Sequence, residues 1–128
     1  MKILIVEDDL GMVRFMKRGL EAEQYEVHSA SDGEKGVDLV KNGGYGIIIL
    51  DVYLPKKNGL EICRALREAN VATPILIMTA RDSPEIIHEG FKAGANDYIP
   101  KPFPFDLLLA KIEVLDPSRT PSVYPEDM

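Results

Sequence analysis

The sequence predicts an α/β domain built on a five-stranded parallel sheet with helices on both faces. Two observations lead there. Apolar runs of strand length alternate five times with segments whose apolar residues recur every three or four positions, the pattern of successive strand-helix units. The first, third and fourth runs, Lys2–Val6, 46–50 and 74–78, are almost entirely Ile, Leu and Val, which suits strands covered from above and below.

The first strand spans Lys2–Val6 and its helix Leu10–Ala22, where Leu10, Val13, Met16 and Leu20 form an apolar stripe. The second strand, Glu26–Ala30, is more polar and belongs at an edge of the sheet. Ser31 or Asp32 caps the second helix, which stops at Gly43-Gly44, where glycine accepts a left-handed turn. The third strand covers 46–50 and the third helix 60–69, and Pro74 marks a chain already extended into the fourth strand, 74–78. Ser83-Pro84-Glu85 supplies a cap, a first-turn proline and a first-turn acid for the fourth helix, which ends at Gly94. A short fifth strand, 97–99, precedes a fifth helix from near Pro104 to Leu115. On that helix Phe105, Leu108, Ile112 and Leu115 make a core stripe, while Leu107, Ala110 and Val114 make a second apolar stripe on another face, suited to contact with another chain. Residues 116–128 carry Pro117, Pro121 and Pro125 without apolar period and read as a tail or truncated linker, leaving 1–115 as one domain.

With 128 residues, 45% of them hydrophobic, the chain can bury a core without staples. Its one cysteine excludes a disulfide framework, no Cys/His group has zinc spacing, and a reducing, cytoplasmic setting is the expectation. No apolar run approaches the roughly 18 residues of a membrane span. The 15 basic and 21 acidic residues leave a net charge of −6 with no basic patch, which disfavours a nucleic-acid backbone as partner.

In open parallel sheets ligands bind at the carboxyl ends of the strands, beside the reversal of strand order. Glu7, Asp8 and Asp9 follow the first strand, Asp51 the third and Thr79 the fourth, while Tyr98 and Lys101 lie around the fifth. Two carboxylates about 4 Å apart repel by roughly 4 kcal/mol at an effective dielectric near 20. Glu7, Asp8 and Asp51 gathered there imply a cation, and hard oxygen ligands with room for water and a phosphate describe Mg²⁺, with Mn²⁺ as a substitute. Asp9 reads as the cap of the first helix.

At these residues the chain resembles the receiver domains of bacterial two-component response regulators. The resemblance rests on Ile3-Leu4-Ile5-Val6-Glu7-Asp8-Asp9, on Asp51 followed by Pro55 and Gly59, on Thr79-Ala80-Arg81-Asp82, and on Gly94 to Phe103, all in order and spacing over about 1–115. It looks most like the subfamily whose receivers carry a winged-helix DNA-binding domain. The resemblance implies a flavodoxin-like (βα)5 three-layer sandwich with strand order 2-1-3-4-5. It implies that Asp51 takes a phosphoryl group from a sensor histidine kinase, with Mg²⁺ held by Asp8, Asp51 and the backbone carbonyl of Tyr53, and by Glu7 through water. Lys101 is then expected to pair first with Asp51 and next with phosphoryl oxygens, aimed by a cis peptide before Pro102. Thr79 would donate its hydroxyl to the phosphoryl group, and Tyr98 would turn into the space it leaves, reshaping the face of the fourth helix, fifth strand and fifth helix. Tyr53 and Arg81 occupy the positions that flank the hydrolytic water in this family, and both are large, so a long-lived phosphorylated form is expected. The output would be transcriptional, with a phosphorylation-dependent homodimer through that face, or else partner binding or phosphorelay by a stand-alone receiver.

The chain also departs from the pattern. Asn96-Asp97 stands where the DNA-binding subfamily usually has two aspartates, and Ile87, Glu89, Lys111 and Glu113 lie around the places where basic residues are common, which puts the usual dimer charge network in doubt. Asn58 replaces the frequent aspartate before Gly59. Other classes fit worse: three acids after the first strand would repel a flavin phosphate, and no Gly-x-x-x-x-Gly-Lys-Ser/Thr is present. A haloacid-type phosphatase needs an acid where Tyr53 stands, so a turnover enzyme is not expected. Cys63 reads as a small core residue, and His28 and His88 lack ligand spacing.

Overall fold

The computed structural model describes residues 1–116. Along the chain run β1 (Lys2–Val6), α1 (Leu10–Ala22), β2 (Glu26–Ala30), α2 (Gly33–Lys41), β3 (Tyr45–Asp51), α3 (Gly59–Glu68), β4 (Ile75–Thr79), α4 (Pro84–Lys92), β5 (Asp97–Pro100) and α5 (Phe105–Leu115). Every ladder is parallel and the order is β2-β1-β3-β4-β5, with the polar β2 at an edge as its composition requires. β3 and β4 each end one residue later than the apolar pattern does. The ladders continue through Asp51↔Met78 and Thr79↔Pro100, so both polar residues sit on the rigid strand ends rather than in loops.

Strand side chains alternate between two buried layers, as a pleated sheet requires. Ile3, Ile5, Leu76 and Ile99 pack against Met16 and Leu20 of α1 and Leu108 and Ile112 of α5. Leu4, Val6, Ile48 and Ile77 pack on the other face, against Ile62, Cys63 and Leu66 of α3. One expected core residue is not there: Leu10 is 63% exposed. It is the first residue of α1, ahead of the turn at which the helix meets the sheet, and burial begins at Val13. On α5, Leu108 and Ile112 are buried, Phe105 and Leu115 partly so, and the second stripe of Leu107, Ala110 and Val114 faces outward.

Local chemistry explains where the helices begin. Asp9 accepts from the Gly11 and Met12 amides, Asp32 rather than Ser31 accepts from Lys35, and Ser83 accepts from Ile86. Asn58 caps α3 by accepting from Leu60 N, a role asparagine fills as well as aspartate. Arg67 ties α3 to the segment before β5, donating to the carbonyls of Val71, Thr73 and Gly94 and to Asn96 Oδ1. Asn96 Oδ1 also accepts from Ile75 N, so the departure at this position is used to seat the start of β4. Asp116, the first residue of the expected tail 116–128, is buried just beyond α5 and accepts from Tyr25 Oη at 3.4 Å, while 117–128 lie outside the described residues. Among the described residues no helix is long and apolar enough to cross a membrane.

Candidate functional site

The chain passes from β1 to β2 on one side and then returns to β3 on the other, so strand order reverses between β1 and β3. Their carboxyl ends deliver the acids into that crevice. Glu7 is 1% exposed and uses its two oxygens differently. Oε2 accepts from the Asp8 and Asp9 amides at 3.0 and 3.2 Å and so shapes the loop that projects Asp8. Oε1 lies 2.6 Å from Lys101 Nζ but has no donor aligned on it as a hydrogen bond.

Asp51, at the end of β3, is 3% exposed. Its Oδ1 accepts from Tyr53 N at 3.4 Å, and its Oδ2 is 3.4 Å from Lys101 Nζ. The backbone leaving Asp51 is held by Gly59, whose amide donates to Val52 O at 2.8 Å. A Cβ at position 59 would run into the Asp51 carbonyl, so only glycine lets α3 start so close to the strand end.

Oxygens of Glu7, Asp8 and Asp51 all lie within 4.8 Å of one another. Among the described residues one ammonium, that of Lys101, pairs with this group of three carboxylates. Burial works to lower the Lys101 pKa, but the Glu7 and Asp51 carboxylates outweigh it and hold the ammonium above its ordinary value. The ammonium pairs with Asp51, as the resemblance implies, and makes a shorter contact with Glu7. Three carboxylates within 4.8 Å of one another, with one of them exposed enough to leave room for water, fit a small hard dication. The peptide before Pro102 is cis, in agreement with the resemblance.

Thr79 is fully buried at the end of β4. Its hydroxyl donates to Arg81 O at 2.6 Å and accepts from Arg81 N at 3.0 Å, so the loop after β4 holds it. Tyr53 and Arg81 are exposed on the loops after β3 and β4. Tyr98 is half-buried on β5, its ring edge-on to Phe91 of α4 and beneath Lys111 of α5. Neither ring partner nor the Arg81 backbone is visible as a site element in the sequence. Phe91 carries no signal beyond being an aromatic on a helix, and Lys111 stands out only as a basic residue among Ile87, Glu89 and Glu113. Of the remaining candidates, Cys63 is fully buried and donates to Ala93 O, and burial pushes its thiol pKa up. His28 is bonded through both nitrogens, to Tyr45 Oη at 2.7 Å and Glu26 Oε2 at 2.8 Å, far from the acids.

The geometry agrees with three comparisons. A family model described as the response regulator receiver domain matches residues 3–113. The response regulator MprA of Mycobacterium sp. (strain KMS) is 40% identical over 125 residues, covering 98% of this chain and 54% of that protein. The uncharacterized transcriptional regulatory protein YkoG of Bacillus subtilis (strain 168) is 44% identical over 110 residues, 86% of this chain and 48% of that one. The chain thus spans about half the length of these curated relatives. Among solved structures, chemotaxis protein CheY4 of Vibrio cholerae superposes with a TM-score of 0.85 at 32% identity, covering 89% of this chain and 97% of that one.

Proposed function

The chain belongs to the response regulator receiver domain family, and on that premise we propose that it is a phosphorylation switch whose phosphoacceptor is Asp51. The observation that carries the reading is the convergence of the Glu7, Asp8 and Asp51 carboxylates at the β1/β3 strand ends, with Lys101 paired to two of them. A carboxylate oxygen of Asp51 attacks the phosphorus of a phosphohistidine on a sensor histidine kinase. The P–N bond breaks, its electron pair stays on the histidine nitrogen, and a proton from water neutralises that nitrogen as the imidazole leaves.

Asp8, Asp51 and the Tyr53 carbonyl are the residues that would hold Mg²⁺, with Glu7 reaching it through water. When bound, the ion screens the incoming phosphoryl oxygens from the acids. Lys101 then shifts its pairing from the carboxylates to the new phosphoryl oxygens, as a point charge on a flexible stem can. Thr79 gives up Arg81 O, donates to a phosphoryl oxygen, and frees the space into which Tyr98 turns. The α4-β5-α5 face changes shape, and Leu107, Ala110 and Val114, exposed on it, serve a homodimer. Tyr53 and Arg81 crowd the water that would remove the phosphoryl group, giving a phosphorylated form that lasts many minutes.

The output we infer is control of transcription. It is supported by the resemblance to a transcriptional regulatory protein at 44% identity. A stand-alone receiver acting by partner binding or phosphorelay is the second reading, favoured by the match along 97% of a chemotaxis protein's chain. The test is incubation with acetyl phosphate and Mg²⁺, followed by intact mass and sedimentation, with Asp51→Asn as control. One added phosphoryl group that requires Asp51, with dimer formation, supports a transcriptional receiver, and modification without assembly supports the stand-alone one. Absence of modification contradicts both.

A further inference from the structure

Tyr98 is the ring that the proposed switch turns, and side chains from α4, β5 and α5 surround it. Phe91 of α4 meets it edge to face, with ring centroids 6.3 Å apart and planes at 89°. Lys111 of α5 places Nζ 5.7 Å from the Tyr98 centroid. That ammonium is itself anchored, 3.0 Å from Asp97 Oδ2, while Asp97 Oδ1 accepts from Tyr98 N at 2.8 Å. One carboxylate therefore fastens both the backbone that carries the ring and the cation that lies over it. Phe91 is 46% exposed, so its contact with Tyr98 shields apolar surface that would otherwise meet water.

We propose that Phe91, Lys111 and Asp97 form a clamp on Tyr98 that sets how readily phosphorylation of Asp51 throws the switch. The clamp rests on the receiver reading given above. A contact made in one of two conformations and lost in the other biases the equilibrium by its own free energy and by nothing else. An edge-to-face ring pair and a partly exposed cation over a ring each bias such an equilibrium by about two- to fivefold. Both contacts belong to the pose in which Thr79 is bonded to the Arg81 backbone. Turning Tyr98 away surrenders them, so the clamp opposes the turn until the phosphoryl group draws Thr79 off. Phe91, Lys111 and Asp97 are positioning residues: each acts through Tyr98 and not on the phosphoacceptor Asp51.

The experiment titrates beryllofluoride, in Mg²⁺, into the full chain carrying ring-labelled tyrosine, reading affinity together with the Tyr98 resonances assigned by Tyr98→Phe. Lys111→Met keeps the stem of the side chain and removes its charge. It should bind beryllofluoride about two- to fivefold more tightly, with Tyr98 already shifted toward its bound position before ligand is added. Phe91→Leu, which preserves an apolar side chain on α4, should do the same. The double variant should approach tenfold, and Lys111→Arg should restore wild-type behaviour. A merely structural role would lower thermal stability and leave affinity and resonances unchanged, which overturns the clamp. Weaker binding by the variants overturns it as well. Wild-type protein that binds beryllofluoride and moves Tyr98, with variants that match it, sinks the clamp alone. Wild-type protein that does not bind at all sinks the receiver reading and the clamp with it.

Discussion

The two ends of the sheet carry similar side chains to opposite ends. At the amino end, His28 bridges Tyr45 and Glu26 through both ring nitrogens, and Lys2 donates to Gly43 O, so those polar groups have aligned partners near solvent. At the carboxyl end, Glu7 and Asp51 are buried against a single ammonium, and Glu7 Oε1 has no aligned donor. Buried polar groups are ordinarily satisfied, because leaving one unpaired costs about 1–3 kcal/mol. The amino-end groups are each paired near solvent, whereas at the carboxyl end three crowded carboxylates are matched, among the described residues, by the Lys101 ammonium.

The difference can be broken most severely at Lys101. Lys101→Met strands two buried carboxylates and should lose about 2–4 kcal/mol in chemical denaturation, and adding Asp51→Asn should recover part of that loss. Because the folded pKa of Lys101 is raised above its unfolded value of 10.5, its stabilising share is complete below that pH and is lost as pH rises through the folded value. Alkaline titration of stability should therefore show a component above pH 10.5 that vanishes in Lys101→Met. Next in size is Asp9, which borders the acids yet spends its carboxylate on the Gly11 and Met12 amides. Asp9→Ala should cost about 1 kcal/mol and leave Mg²⁺ affinity unchanged, whereas an altered affinity would place Asp9 in the cation site. His28→Gln, at the other end of the sheet, should change stability by less than about 0.5 kcal/mol and leave phosphorylation untouched.

The strands and helices are legible in the sequence because two periodicities and a few caps carry them. Ser83-Pro84-Glu85 starts α4 where expected, and the Ile-rich runs are the central strands. Leu10 misleads because a helical stripe does not say at which turn the helix meets the sheet. The residues of the site are legible because acids at apolar strand ends have few other uses. Their pairing is not: that Glu7 lies closer to Lys101 than Asp51 does, that Thr79 is bonded to the Arg81 backbone, and that Arg67 and Asn96 brace β4 all depend on separations of many residues in the chain. Such contacts leave no periodic mark.

We propose that a dication completes the group of acids at the β1 and β3 ends. Thermal unfolding across a Mg²⁺ titration tests it most directly, since an ion that binds only the folded chain raises its melting temperature with concentration. The melting temperature should rise in the wild-type protein, with the rise lost in Asp8→Asn and in Asp51→Asn and retained in Asp9→Ala and His28→Gln. An equal rise in Asp8→Asn and Asp51→Asn, or none in the wild type, would contradict it.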